Sequence, residues 1–313
     1  MTEASRIGIL VDSACDLPAD FVREHGIQIA PITVRIGDRF LKDARDRWST
    51  ESFFGNELGW DSTDAAETLP TTVEEFQDII LGQMALDYDV IYVLTISATR
   101  SDIFRNARVA CASLAQQAVN RRYAKGIKSL LQVKVVDSRN LFAGQGVQAA
   151  RLVELIREHG TPNAIDPALE RAISRTVGFM VPDDLKYLYT RAKRKNDRSV
   201  GFMSYTLGSM LDVKPVIRAF NGETEAWAKV RSYDAAIERV AEVIGDSAEA
   251  GTIEPIVNVG YGGPGETLEK IAPYQALRER LAARDVKVLE SHMSLTAGIN
   301  VGRGALAFGV IMR

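Results

Sequence analysis

Through the first 160 residues, unbroken runs of Val, Ile and Leu alternate with stretches of helical character. The clearest runs are Ile7–Val11, Val90–Thr95 and Val133–Val136, and Ile27–Val34 supplies another strand. Strands that read as continuous apolar segments, not as alternating ones, are covered on both faces; this is the signature of a parallel sheet flanked by helices. The intervening segments carry helix starts. Asp16 stands where it can cap a helix with Pro18 in its first turn, and Thr72-Val-Glu-Glu75 is a capping box opening an amphipathic helix to about Leu86. Helices are expected at Ser101–Val119 and Gly144–His159, with a short one near Thr50–Leu58 in a polar, irregular stretch. This half reads as a doubly wound α/β domain.

The pattern changes at Gly160-Thr-Pro-Asn163, which reads as a linker. Beyond it, Lys214–Phe220 and Thr224–Val230 flank Asn221-Gly222, a pair suited to the two positive φ values of a type I′ hairpin turn. A helix at Tyr233–Val243, a strand at Pro255–Val259, a long helix at Glu266–Arg284 and strands at Val286–Glu290 and Ala305–Ile311 follow. The expected division is an α/β domain over 1–160 and an α+β domain over 161–313.

Composition narrows the function. Thirty-eight Lys and Arg against 41 Asp and Glu give a net charge of −3, which sets up no field to recruit nucleic acid or an anionic membrane. The N-terminal apolar run is too short for a secretory signal, and no segment is long enough to span a membrane. Two cysteines without a CxxC spacing suit reduced thiols. A cytoplasmic protein without stable membrane insertion is expected. Three histidines, His25, His159 and His292, lie far apart with no metal-ligand spacing, so no metal site is expected.

Four features could carry chemistry. Gly260-Tyr-Gly-Gly-Pro-Gly265 matches GxGxxG between a strand and a helix, with Glu290 as a ribose-binding acid; with about fifty residues after Gly265 and Pro264 removing an N–H from the loop, a tight strand-to-helix turn is the plainer reading. Asp12 and Asp16, at the carboxyl end of the first strand, could hold Mg²⁺, with Cys15 as a nucleophile; a helix cap and a core thiol are the plainer alternative. Thr95-Ile-Ser97-Ala-Thr99-Arg100-Ser101 ends another strand, where hydroxyls and backbone N–H groups would suit a carboxylate or phosphate; Ser101 serves equally as a helix cap. The basic run Arg191, Lys193, Arg194, Lys195 and Arg198 reads as a solvated helix end or a docking patch for an acidic partner.

Six segments together resemble the DegV family of bacterial fatty-acid-binding proteins. They are Val11–Pro18, Thr68–Phe76, Leu94–Ala98 with Ser101, Val136–Asn140 with Gly144-Gln-Gly146, Leu207–Pro215 and Gly302–Leu306, in family order. The resemblance implies a cytoplasmic carrier, not an enzyme and without a cofactor. It would hold one long-chain fatty acid in an apolar tunnel and present the carboxylate to a separate ATP-dependent fatty acid kinase. An acyl chain of about sixteen carbons gains about 0.8 kcal/mol per buried CH₂, so such a carrier needs a long apolar cavity. The head needs only a few donors.

Carried over motif by motif, the family's head-group threonine falls on Thr68, or on Thr71 or Thr72 if a gap is allowed. Its serine falls on Ser97, and its histidine-bearing element near the end falls on Asn300-Val-Gly-Arg-Gly304. The expected ligand-binding residues are Thr68, Ser97 and Asn300. This chain departs from the family in having Ala98 for a second serine, Asn300 for the histidine, and only a loose match at Asn196-Asp-Arg198 to a Gly-Gly-Arg segment. Arg100 adds a cation near the presumed head. The rival from another class is an enzyme for a phosphorylated or nucleotide substrate, using Asp12, Asp16 and the Gly260–Gly265 loop.

Overall fold

Strand β1 (Ile7–Asp12) runs through the middle of a four-stranded parallel sheet in the order β2-β1-β6-β7, with β2 at Gln28–Ala30, β6 at Val90–Thr95 and β7 at Gln132–Asp137. The computed structural model describes residues 5–54, 66–194 and 213–313. All six residues of β6 are buried, as its unbroken apolar run requires. Helices α1 (Ala19–Glu24), α3 (Val73–Ile79, continued by a π turn through Met84), α4 (Ile103–Tyr123) and α5 (Phe142–His159) complete the α/β layers. The parallel sheet and doubly wound pattern stand as expected.

The second expected strand divides in two. Pro31 has no N–H to give a ladder; β2 ends at Ala30, and β3 (Ile32–Ile36) joins a separate antiparallel sheet in the order β4-β3-β5. Its other strands are β4 (Arg39–Asp43) and β5 (Glu67–Leu69). The short helix, α2, lies at Arg47–Phe54.

A six-stranded mixed sheet follows, in the order β10-β9-β8-β13-β11-β12. Its strands are β8 (Thr176–Val181), the hairpin β9 (Lys214–Phe220) and β10 (Glu223–Val230), β11 (Ile253–Tyr261), β12 (Lys287–His292) and β13 (Leu306–Met312). Asn221 and Gly222 both have positive φ, 48° and 86°, as the hairpin signal requires. Helix α8 (Tyr233–Glu249) packs on this sheet. The expected long helix after Gly265 is two: α9 (Gly265–Leu268) and α10 (Ala272–Ala282), the second with Pro273 in its first turn, where its missing N–H costs nothing.

Gly160-Thr-Pro-Asn163 is a turn between two packed helices, α5 and α6 (Pro162–Arg175). Helix α5 packs on β13, β11 and β8, while its Gln145 reaches the first sheet. That double duty explains its sequence. Ala143, Gly144, Gly146, Ala149 and Ala150 are all buried, and a Cβ on Gly309 of β13 would lie 2.1 Å from the Ala143 carbonyl. A Cβ on Gly146 would likewise lie 2.1 Å from the Asp16 carbonyl oxygen, so these close approaches admit only glycine.

Candidate functional site

The carboxyl ends of β1 and β6 lie side by side, the place where open α/β sheets bind ligands. Ser97 follows β6 and is almost fully buried, while its neighbours Ala98 and Thr99 are exposed. Its loop is held from beneath by Asp12. That carboxylate, wholly buried, accepts hydrogen bonds from Ile96 N at 2.6 Å, Ala14 N at 3.0 Å and Gln145 Nε2 at 3.2 Å. Ser97 N donates to the Asn140 carbonyl at 3.0 Å, Ala98 N to Asp137 Oδ1 at 3.0 Å, Thr99 N to Ser97 Oγ at 3.4 Å and Arg100 N to the Ser97 carbonyl at 2.9 Å. Each backbone N–H from Ile96 to Arg100 therefore has an internal acceptor. This corrects the expectation that backbone donors would converge on a head group.

What the loop presents is a hydroxyl. Ser97 Oγ lies 3.0 Å from Thr99 Oγ1, which lies 2.5 Å from the Gly222 carbonyl oxygen in the hairpin turn. A carbonyl only accepts, so the Thr99 proton goes to Gly222 and the Ser97 proton is directed at Thr99. A carboxylate at Ser97 would displace one neutral hydroxyl–hydroxyl bond and form a stronger charge-assisted one.

Thr68 lies on β5 directly opposite Val34 of β3. Partners in register share a face, so Thr68 points with Ile32, Val34 and Ile36 into the apolar cluster that also holds Ile96, Ile103, Phe142, Met180 and Ile217. Helix α11 (Leu295–Val301) packs on β3 and β5. Asn300 is near its end, half-buried, with Nδ2 donating to the Thr296 carbonyl one turn earlier at 2.7 Å. Thr71 and Thr72, the other two threonines, each have an internal partner. Thr71 donates to the Pro31 carbonyl at 3.0 Å, and Thr72 is the N-cap of α3 with the full capping box formed. Asn106 of α4 donates to the Thr71 carbonyl at 2.9 Å, tying the Thr68 segment to the helix that follows Ser97.

The aspartates of the rival reading hold the frame together. Asp16 does not cap α1; the N-cap position is Pro18, with no side-chain bond. Asp16 is buried instead, accepting from Ser294 N at 2.9 Å and lying 3.4 Å from Arg45 Nη1. Asp43 accepts from Thr296 N at 2.9 Å and Thr296 Oγ1 at 2.8 Å. Arg45 Nη2 donates to the carbonyls of Leu17 and His292 at 3.1 and 3.0 Å. Asp12 thus fixes the Ser97 loop, while Asp16 and Asp43 fix the start of α11, the helix of Asn300. Burial raises Asp12 and Asp16 to about 6, partly offset by these donors and, for Asp16, by Arg45; burial raises Asp43 as well. Burial together with Asp12 and Asp16 pushes the Cys15 thiol well up, so it is no thiolate at neutral pH and no ready nucleophile. Among the described residues no group of three or more His, Cys, Asp or Glu is placed to hold a metal ion.

The GxGxxG glycines have packing roles. A Cβ on Gly260 would lie 2.7 Å from Asp16 Oδ2, and one on Gly263 would lie 2.8 Å from the Tyr261 ring. The helix they precede, α9, spans only Gly265–Leu268. A cavity of about 330 Å³ opens beside this loop, with Arg45, Tyr274, Arg278 and Glu290 in its wall. Glu290, the expected ribose acid, is held by Tyr274 Oη at 2.5 Å and Arg278 Nε at 3.0 Å. The enzyme reading is not favoured. Arg191 is buried on α7 (Leu185–Arg194) and donates to the Ala66 carbonyl, so the basic run is not simply a solvated helix end. At the start of α4, Asp102 holds the N-cap position without a side-chain bond, and Ser101 Oγ accepts from Ile103 N at 3.3 Å, so Ser101 does serve that helix end. Lys195, Asn196–Arg198 and the Leu207–Asp212 part of the Leu207–Pro215 motif lie outside the described residues. No helix among the described residues is long and apolar enough to cross a membrane.

Residues 6–313 match the family described as "Uncharacterised protein, DegV family". The chain is 42% identical over 304 residues to a DegV domain-containing protein of Xanthomonas axonopodis pv. citri, covering 97% of this chain and 96% of that one. Its fold matches the crystal structure of DegV, a fatty acid binding protein from Bacillus subtilis, at a TM-score of 0.76, with 20% identity over 99% of this chain and 100% of the other. A stearic acid-binding protein from Eubacterium ventriosum matches at 0.75, with 20% identity over 98% of each chain. The chain belongs to the DegV family.

Proposed function

We propose that this protein is a carrier of one long-chain fatty acid, with the carboxylate held at Ser97 and the tail in an apolar tunnel between the 1–160 and 161–313 regions. The observation that carries this reading is Ser97. Its hydroxyl is buried at the carboxyl edge of the sheet, on a loop whose own backbone donors are all used, next to an apolar cluster. Such a site offers polarity at one point and apolar contact around it, which is what a single-chain amphiphile needs. Thr68 faces the same cluster, and Asn300 stands on the helix packed over it; both are assigned to the head group. The fatty acids bound by solved relatives of this fold support the class of ligand.

The carrier performs no chemistry alone. A separate fatty acid kinase would phosphorylate the presented carboxylate with ATP, and the exposed Ala98 and Thr99 beside Ser97 leave the head within reach of a partner. A cytoplasmic location fits that exchange. Palmitate binding by calorimetry, followed by incubation with a fatty acid kinase catalytic subunit and ATP, tests both steps. Saturable binding with formation of acyl phosphate is expected. Binding without acyl phosphate would remove the kinase step, and no binding would overturn the carrier.

A further inference from the structure

We propose that the cavity beside the Gly260–Gly265 loop is a second binding site, separate from Ser97, for a neutral sugar ring recognised through a vicinal diol. It stands independently of the fatty-acid reading. Strands β11 and β12 are parallel and joined by a crossover through α9 and α10, so this part of the second sheet is a βαβ unit. Tyr261 ends β11, and Glu290, Ser291 and His292 end β12; all four line the cavity. It therefore opens at the carboxyl ends of two parallel strands, where open α/β sheets bind ligands. Its volume of about 330 Å³ is at the small end of ligand pockets, which suits a monosaccharide or a nucleoside and not a dinucleotide. Nothing in the wall calls for a phosphate. Helix α9 is a single turn, and Pro264 before it has no N–H. Arg45 lies 3.4 Å from Asp16 and donates to two carbonyls, and Arg278 is paired with Glu290.

Glu290 builds the polar end. Tyr274, wholly buried, donates its Oη proton to Glu290 Oε1 at 2.5 Å, and Arg278 Nε lies 3.0 Å from the same oxygen. Burial and the neighbouring Glu290 raise the Tyr274 hydroxyl, so that proton stays in place. Oε2 takes no hydrogen bond from any described residue, and the Glu290 side chain is 35% exposed, within reach of a ligand. Arg278 Nη1 donates to Gln275 Oε1 at 3.2 Å, and its Nη2 has no hydrogen-bond acceptor among the described residues. A held acceptor thus stands beside a donor. Each hydroxyl of a diol both donates and accepts, so two adjacent hydroxyls match the pair. Leu17, Pro18 and Leu268 in the same wall offer apolar contact to the C–H face of a ring. Charged ligands fit less well. An anion would meet Glu290, Asp20 and Glu269 in the wall, and a cation would find Glu290 already balanced by Arg278.

The test titrates D-ribose, D-glucose and adenosine into the full-length protein by saturation-transfer NMR, with 2′-deoxyadenosine as the control that lacks the diol. Saturable binding of at least one diol probe is expected; adenosine alone would identify a nucleoside as the source, and ribose or glucose a free sugar. Glu290→Gln keeps an oxygen for Tyr274 but turns an NH₂ into the cavity, and should weaken the bound probe about tenfold. Arg278→Met removes the donors and should weaken it about fivefold. Both variants should keep the parent's urea midpoint within about 0.5 M and its palmitate affinity within about twofold, since neither residue contacts the Ser97 loop. No binding of any of the three probes would overturn the inference. So would equal binding of adenosine and 2′-deoxyadenosine, or undiminished binding in both variants. Failure of palmitate alone, with a sugar still bound, would remove the carrier reading and leave this site standing.

Discussion

Replacing Asp12 with Asn separates the stability of this protein from the order of its ligand loop. Asp12 is wholly buried, with Oδ1 accepting from Ala14 N and Oδ2 from Ile96 N and Gln145 Nε2. Burial raises its pKa from 3.8 to about 6. The folded state therefore binds this proton more tightly than the unfolded chain does. The associated stability is fully present below pH 3.8 and is lost as pH rises through about 6. At about 1.4 kcal/mol for each pH unit, the ionised carboxylate costs about 3 kcal/mol at neutral pH, and about 2 kcal/mol of that is lost between pH 4.5 and 7.5. Asp12→Asn removes the titration. Urea unfolding of parent and variant at both pH values should show the variant gaining about 2 kcal/mol relative to the parent as pH rises. The amide must also set its NH₂ against N–H donors, Ala14 N in one flip or both Ile96 N and Gln145 Nε2 in the other, so the frame under the Ile96–Ser97 segment loosens and palmitate binding weakens severalfold. A parallel pair of pH–stability curves, or full palmitate affinity in the variant, would refute this account of Asp12.

Three further outcomes follow from the same contacts. Ser97→Ala should weaken palmitate binding about five- to tenfold while costing no more than about 1 kcal/mol of stability, because Thr99 keeps its bond to Gly222; calorimetry and urea unfolding check the two parts. Gly309→Ala should destabilise by about 3 kcal/mol, since the new Cβ would meet the Ala143 backbone at 2.1 Å and neither element can withdraw; a shift in the urea midpoint measures it. Thr72→Ala breaks the capping box of α3 and should cost about 1 kcal/mol without altering ligand affinity, a result that would also remove Thr72 from the head-group candidates.

Much of the architecture is legible in local pattern. The runs at Ile7 and Val90 announce buried parallel strands, the run at Val133 announces the half-buried edge strand β7, and Asn221-Gly222 announces its hairpin, because each depends on residues adjacent in the chain. What escapes depends on distant partners. Thr176–Val181 follows α6 directly, with no intervening Gly or Pro turn to mark where helix becomes strand. Pro31 lies within one apolar run, but the chain changes sheet there. Asp16 followed by Pro18 has the form of a helix cap; its partners, Arg45 and Ser294, come from remote segments that only the fold brings together. Ser97 is visible as a strand-end hydroxyl. The commitment of its loop's backbone donors, and the roles of Asp12, Asn140 and Gly222 around it, are not.

The carrier claim is tested most directly by extracting the purified protein with organic solvent and analysing the extract by mass spectrometry, with added palmitate and oleate offered to the stripped protein. The account requires a long-chain fatty acid at close to one equivalent in the extract, or stoichiometric uptake after stripping. A clean extract together with no uptake of either acid would contradict it.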